Sequence, residues 1–196
     1  DVEGLLFPRG LFSLQGKVEA LPLAQITEDV SHAWMRESST DPAHSITIPQ
    51  ADKPEAYSWC KAPRLSGQPV EVGALARQTI AGQPLVMDLV SAGGSNVRTR
   101  VIARLIELAR IAQAMEQWIR ALRLSDPFCL PSRDVADGAF VGLVEAARGS
   151  LGHWLVARDG RIERYQIIAP TTWNFSPRDS LGIAGPLEQA LVGTDV

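Results

Sequence analysis

Apolar residues recur at three- and four-residue spacing through the middle of the chain, at Val101, Leu105, Leu108, Ala112, Met115, Ile119 and Leu122. That period predicts one long amphipathic helix over residues 97–122 with a single buried stripe. Ser95 or Asn96 can cap its start, and Glu116 stands four residues before Arg120, the favourable order for an exposed pair on a helix. A shorter helix is predicted over residues 71–80, ended by Gly82 and Pro84. After Asp126-Pro127 the pattern changes. Two runs of strand-forming residues, 151–157 and 162–168, flank Asp159-Gly160, which suits a two-residue turn with both φ angles positive. The hairpin brings Ala146-Ala147-Arg148-Gly149 together with Ala169-Pro170-Thr171-Thr172-Trp173-Asn174. A permanently charged guanidinium and a pair of hydroxyls then project from one end of a rigid element, an arrangement that suits a small anionic or polar ligand.

Elsewhere the pattern is weaker. Residues 1–56 are loop-rich, with residues 11–19 reading as a short hairpin or a pair of extended pieces around Gln15-Gly16. In ITEDVSHAW, residues 26–34, the carboxylates precede the apolar positions, which suits the dipole of a short helix; a surface turn anchored by Trp34 is the other reading. The Pro-containing stretch 40–53 reads as an exposed connection. Ala62 precedes Pro63, so residues 57–64 are extended, and composition favours the surface for Lys61 and Arg64. Residues 187–191 add one or two helical turns. The fold class expected is mainly α with small antiparallel β-hairpins, an α+β arrangement in a single partial domain over 1–196. It is loop-rich over 1–56, helical over 57–124, and carries the hairpin and site wall over 140–179.

Composition narrows the function classes. With 45% apolar and 21% charged residues the chain has an ordinary globular balance. A net charge of −3 and the lack of any Lys/Arg run argue against nucleic acid and anionic lipid as partners. No apolar run is long enough to span a bilayer, and DVEGLLFPRG lacks the parts of a signal peptide, so no membrane span and a cytoplasmic location are expected. With no initiating Met, the chain is expected to be a piece of a longer protein. Cys60 and Cys129 have no Cys or His neighbour at metal-ligand spacing and read as buried thiols; His153, inside a strand, reads as a hydrogen-bonded structural residue. There is no phosphate loop or dinucleotide fingerprint.

The order of segments carries a resemblance. ITEDVSHAW, YSWCKAPRLSGQPVEVGALAR, the long helix, EAARGSLGHW, the Asp-Gly hairpin, APTTWNFSPRD and GPLEQALVG together resemble the C-terminal half of the large subunit of nickel-iron hydrogenases, over nearly the whole chain. Ala147 stands where catalytic members usually carry proline, and this wording is most similar to the regulatory, hydrogen-sensing branch. The resemblance implies an oxidoreductase subunit that cleaves dihydrogen heterolytically at a nickel-iron centre bearing cyanide and carbon monoxide. It implies an iron-sulfur small subunit as partner, and a sensor kinase if the protein is regulatory. The family's four metal-binding cysteines come from a CxxC and a DPCxxC; neither motif is present here, and Cys60 and Cys129 do not inherit that role. What carries over is the outer wall. Arg148 falls on the arginine that hydrogen-bonds one cyanide, with Gly149 beside it; Thr171 falls on the residue that donates to the other; Ile167 falls where a main-chain carbonyl meets a buried magnesium. Glu145 is expected to cap or pair, and Trp173 and Asn174 to lock the loop. Three functions compete: a sensing or uptake hydrogenase, a non-enzymatic maturation scaffold for the iron-cyanide-carbonyl group, and a metal-free quinone-reductase-type relative that Arg148 and Thr171 argue against.

Overall fold

The computed structural model describes residues 6–13, 15–129 and 135–194. The first five residues, part of the segment without a signal-peptide pattern, lie outside them. The chain packs as two compact units, Asp1–Glu19 with Ala74–Ala136 and Ala20–Gly73 with Asp137–Val196.

The first unit is built on helices. Its short hairpin pairs β1 (Leu11–Phe12) with β2 (Val18–Glu19), in the register Leu11↔Glu19. Three helices follow, α1 (Ala74–Ile80), α2 (Pro84–Gly93) and α3 (Val97–Ala121). Helix α2 had no counterpart in the sequence reading, where Pro84 served only to end the helix before it. Pro84 also begins the next one: at a first helical position its missing N–H costs nothing, and the Gln83 side chain accepts from the Val86 N–H at 2.8 Å. Asn96 caps α3 as expected. Its Oδ1 accepts from the Thr99 N–H at 3.0 Å while the Thr99 hydroxyl accepts from the Asn96 N–H at 2.9 Å.

The face that α3 buries is the reverse of the one its period marked. Thr99, Ala103, Glu107 and Ala114 are buried, whereas Val101, Leu105, Leu108, Met115 and Ile119 are exposed, Leu108 to 66%. The local core is small: Ala74, Leu75, Val86 and Ala103, flanked by Val90 and Ile106. Beside it lies a buried ion pair. Arg77 Nε and Nη2 donate to the two carboxylate oxygens of Glu107 at 2.8 and 2.7 Å, Gln78 donates to the same carboxylate at 3.1 Å, and the guanidinium lies 4.9 Å from the centre of the Phe7 ring. Two parallel charge-assisted bonds and a third donor give the buried carboxylate the partners it needs.

The second unit holds two sheets. In the first, β3 (Ile26–Asp29) runs antiparallel to β4 (Ala62–Leu65). This corrects the helix expected near residue 26: Ile26 and Glu28 point inward and Thr27 and Asp29 outward, the two-residue period of a strand. The second sheet has the order β5–β6–β7, from β5 (Gly138–Ala146), β6 (Gly149–Arg158) and β7 (Arg161–Ile168). The β6–β7 turn is the expected one, with Asp159 and Gly160 at φ 52° and 69°. Strand β5 extends the hairpin on the side the sequence reading left open. Helices α4 (Pro170–Asn174) and α5 (Pro186–Leu191) follow.

Candidate functional site

Strand register assembles the site. Ala146 pairs with Gly149, so Ala147 and Arg148 form the tight β5–β6 turn, and Gly152 pairs with Ile168, so the start of α4 leaves the sheet at the end where that turn lies. Gly149 is fixed by sterics: it is buried, its φ is +133°, and a Cβ there would stand 2.7 Å from Gly73 N and from the Val72 side chain. Gly73 has φ +127°, and a Cβ on it would lie 3.1 Å from the Arg148 carbonyl oxygen. A side chain at either position would push the two backbone segments apart.

Arg148 is exposed at the tip of the turn, and Thr171 is exposed in the first turn of α4. Among the described residues, neither the Arg148 guanidinium nor the Thr171 hydroxyl has a hydrogen-bond partner. Below them the support is firm. Pro170 and Trp173 are buried, and Asn174 Nδ2 donates to the Val72 carbonyl at 2.8 Å while its Oδ1 accepts from the Val72 N–H at 3.0 Å. Glu145 faces Ser150 across the ladder and accepts from its hydroxyl. Ile167 lies on β7, an edge strand, opposite His153, with its side chain exposed. His153 Nδ1 meets the Tyr165 hydroxyl at 2.6 Å, the structural role expected of it.

The neighbour of Ile167 leads to a cluster that the sequence reading missed. Gln166 is buried; its amide oxygen accepts from the Thr47 hydroxyl at 2.8 Å and from Lys61 Nζ at 3.2 Å, and its amide nitrogen donates to the Ser45 carbonyl at 3.1 Å. Lys61 also donates to Glu28 at 3.1 Å and to the Ser45 hydroxyl at 3.3 Å. Burial raises the Glu28 carboxyl above its ordinary value, and the charge and hydrogen bond of Lys61 offset only part of that rise. On the opposite face of β3, burial likewise opposes the charge on Asp29. There the N–H groups of Ser31 and Ser180, at 2.8 and 3.1 Å, outweigh it and hold that carboxyl below the ordinary range.

Lys61 and Arg64 are thus not surface charges. Arg64 is 3% exposed, and its Nε donates to Asp179 at 2.7 Å. Its remaining donors reach the Ser176 hydroxyl and the carbonyls of Pro63, Pro177 and Ile183. The cysteines also depart from expectation, Cys60 being half-buried and Cys129 exposed, and neither is in a disulfide. No group of three or more His, Cys, Asp or Glu among the described residues is placed to hold a metal ion. The donors at Arg148 and Thr171 do fit the outer ligands of a metal group, since a cation and a hydroxyl without protein acceptors can serve small electron-rich ligands.

An arginine turn and a hydroxyl-bearing helix start thus lie at one end of the sheet, and among the described residues no group of three or more metal-ligating side chains is placed together. Residues 1–196 match the family model for nickel-dependent hydrogenases, and the chain belongs to that family. It is 34% identical to the periplasmic NiFeSe hydrogenase large subunit of Desulfomicrobium baculatum, over all of this chain and 42% of that one. It is 32% identical to the uptake hydrogenase large subunit of Azotobacter chroococcum mcd 1, over 99% of this chain and 41% of the relative. The crystal structure of a reduced, active form of the Desulfomicrobium baculatum Ni-Fe-Se hydrogenase superposes with a TM-score of 0.81 at 32% identity, over 97% of this chain and 43% of that chain. The fold is therefore that of part of a hydrogenase large subunit, and the chain spans less than half the length of these relatives.

Proposed function

We propose that the chain is part of the large subunit of a nickel-iron hydrogenase, an oxidoreductase that cleaves dihydrogen heterolytically and delivers electrons to an iron-sulfur small subunit. The observation that carries this reading is that two donors without acceptors among the described residues, Arg148 and Thr171, lie at one end of the β5–β6–β7 sheet. When bound, a nickel-iron centre with cyanide and carbon monoxide ligands supplies the redox and bond-splitting chemistry. Arg148 would donate to one cyanide and Thr171 to the other, and Gly149 lets the arginine turn close against Val72-Gly73. A permanently charged guanidinium carried on a backbone turn held against Val72-Gly73 would stabilise charge that develops as dihydrogen separates. The Ile167 carbonyl is assigned to a magnesium ion. The thiolates that soft metals prefer come from the rest of the full-length subunit.

Within this activity the finer reading is a cytoplasmic, hydrogen-sensing enzyme that signals to a sensor kinase. The sensing part of that reading rests on Ala147, which replaces the proline that the resemblance implies beside Arg148. The names of the relatives favour a second reading, dihydrogen uptake. The test is infrared spectroscopy of the full-length protein with its small subunit, combined with dihydrogen-dependent reduction of a dye. Cyanide and carbonyl bands with slow turnover support sensing, and the same bands with rapid turnover support uptake. Bands without turnover overturn the enzyme reading in favour of a maturation scaffold.

A further inference from the structure

The Arg148 turn and the last residue of α4 touch the same short piece of backbone, Val72-Gly73. On the Thr171 side, Asn174 grips Val72 with both halves of its amide, at 2.8 and 3.0 Å, as a neighbouring strand would. On the arginine side the contact is backbone to backbone, because neither Gly73 nor Gly149 has a Cβ to act as a spacer. Helix α4 has only five residues, too few to hold its own position by helical hydrogen bonding. Its placement is therefore set by its buried Pro170 and Trp173 and by the two directional bonds of Asn174. Through these close approaches a shift of Val72-Gly73 is passed to the Arg148-Gly149 backbone.

We propose that Asn174 is a positioning residue for the dihydrogen-cleaving site: by clamping Val72-Gly73 it fixes where Thr171 stands relative to Arg148. The inference rests on the hydrogenase reading and adds a residue that contacts neither substrate nor cofactor. The side chain must offer a donor and an acceptor together, which asparagine does and ionised aspartate does not.

The test uses the full-length enzyme with its small subunit. Asn174→Ala is compared with wild type and with Asn96→Ala, which removes a helix cap in the other unit and serves as a control for general destabilisation. In Asn174→Ala at least one cyanide band is expected to shift, and kcat to fall roughly 10- to 100-fold with KM for dihydrogen little changed, the size of effect that a displacement of about 1 Å produces. Asn96→Ala is expected to leave the bands in place. If Asn174→Ala yields no loaded enzyme, Asn174→Asp, which keeps the bond from the Val72 N–H, carries the comparison with a smaller shift. Cyanide bands that are present in wild type and unmoved in the Asn174 variant overturn the positioning role. A wild-type protein without cyanide bands overturns the hydrogenase reading itself.

Discussion

Arg64 and Arg148 belong to the same unit and carry the same side chain, yet their surroundings are opposite. Arg64 is 3% exposed and spends its donors on Asp179, Ser176 and three carbonyls; Arg148 is exposed, and no described protein group accepts from it. Asp179 in turn accepts from the N–H groups of Leu181 and Ile183, at 3.0 and 2.9 Å, so the first arginine ties β4 to the chain beyond α4. A buried guanidinium with every donor used holds a fold together. One left open at the tip of a rigid turn is available to a ligand.

The comparison is broken most severely through Arg64. Replacing it with Ala leaves Asp179 buried without its cation, a loss expected to cost about 3–5 kcal/mol in denaturant unfolding of the full-length protein. Arg148→Ala is expected to leave the unfolding midpoint close to wild type. Equal losses for the two variants would erase the distinction.

The neighbours Glu28 and Asp29 sharpen the contrast through pH. Asp29 titrates below its ordinary 3.8 when folded, so its contribution is complete above that pH and is lost as pH falls below it; Asp29→Asn should flatten the acid limb of the stability curve. Glu28 titrates above its ordinary 4.5, so the folded chain holds that proton more tightly than the unfolded one. Its effect on stability becomes less favourable as pH rises through 4.5 toward the folded value, and Glu28→Gln should remove a slope of the opposite sign. Asn96→Ala, away from any buried charge, is expected to cost about 1 kcal/mol through loss of its cap. Arg120, exposed but paired with Glu116 at 2.6 Å, is the third kind of arginine, and Glu116→Gln should cost only about 0.3–0.5 kcal/mol, diminishing in high salt.

What the sequence made legible was local. The Asp-Gly turn, the Asn96 cap, the end of α1, the extent of α3 and the turn around Arg148 all depend on residues within a few positions of one another, whereas α1 begins at Ala74, three residues later than expected. Partnerships across the chain were not legible: Lys61 finds Glu28 33 positions away, and Arg64 finds Asp179 115 positions away. Composition therefore set both on the surface. The same limit explains β3, where a buried Glu28 interrupts the apolar alternation that marks a strand, and α3, where periodicity identifies an apolar face but not what covers it. The proposed wall at Arg148 and Thr171 rests on the Asp-Gly turn and the family resemblance together. The Val72-Gly73 clamp needed coordinates, because nothing in the chain sets Asn174 beside residues a hundred positions earlier.

The central claim is that the open guanidinium of Arg148 serves the bond-splitting site, and Arg148→Lys in the full-length enzyme with its small subunit tests it most directly. Lysine keeps the charge but loses the planar fork of donors. Dihydrogen cleavage, read as isotope exchange, is expected to fall roughly 100-fold, with nickel content and unfolding midpoint unchanged. Full exchange activity in that variant would contradict the account.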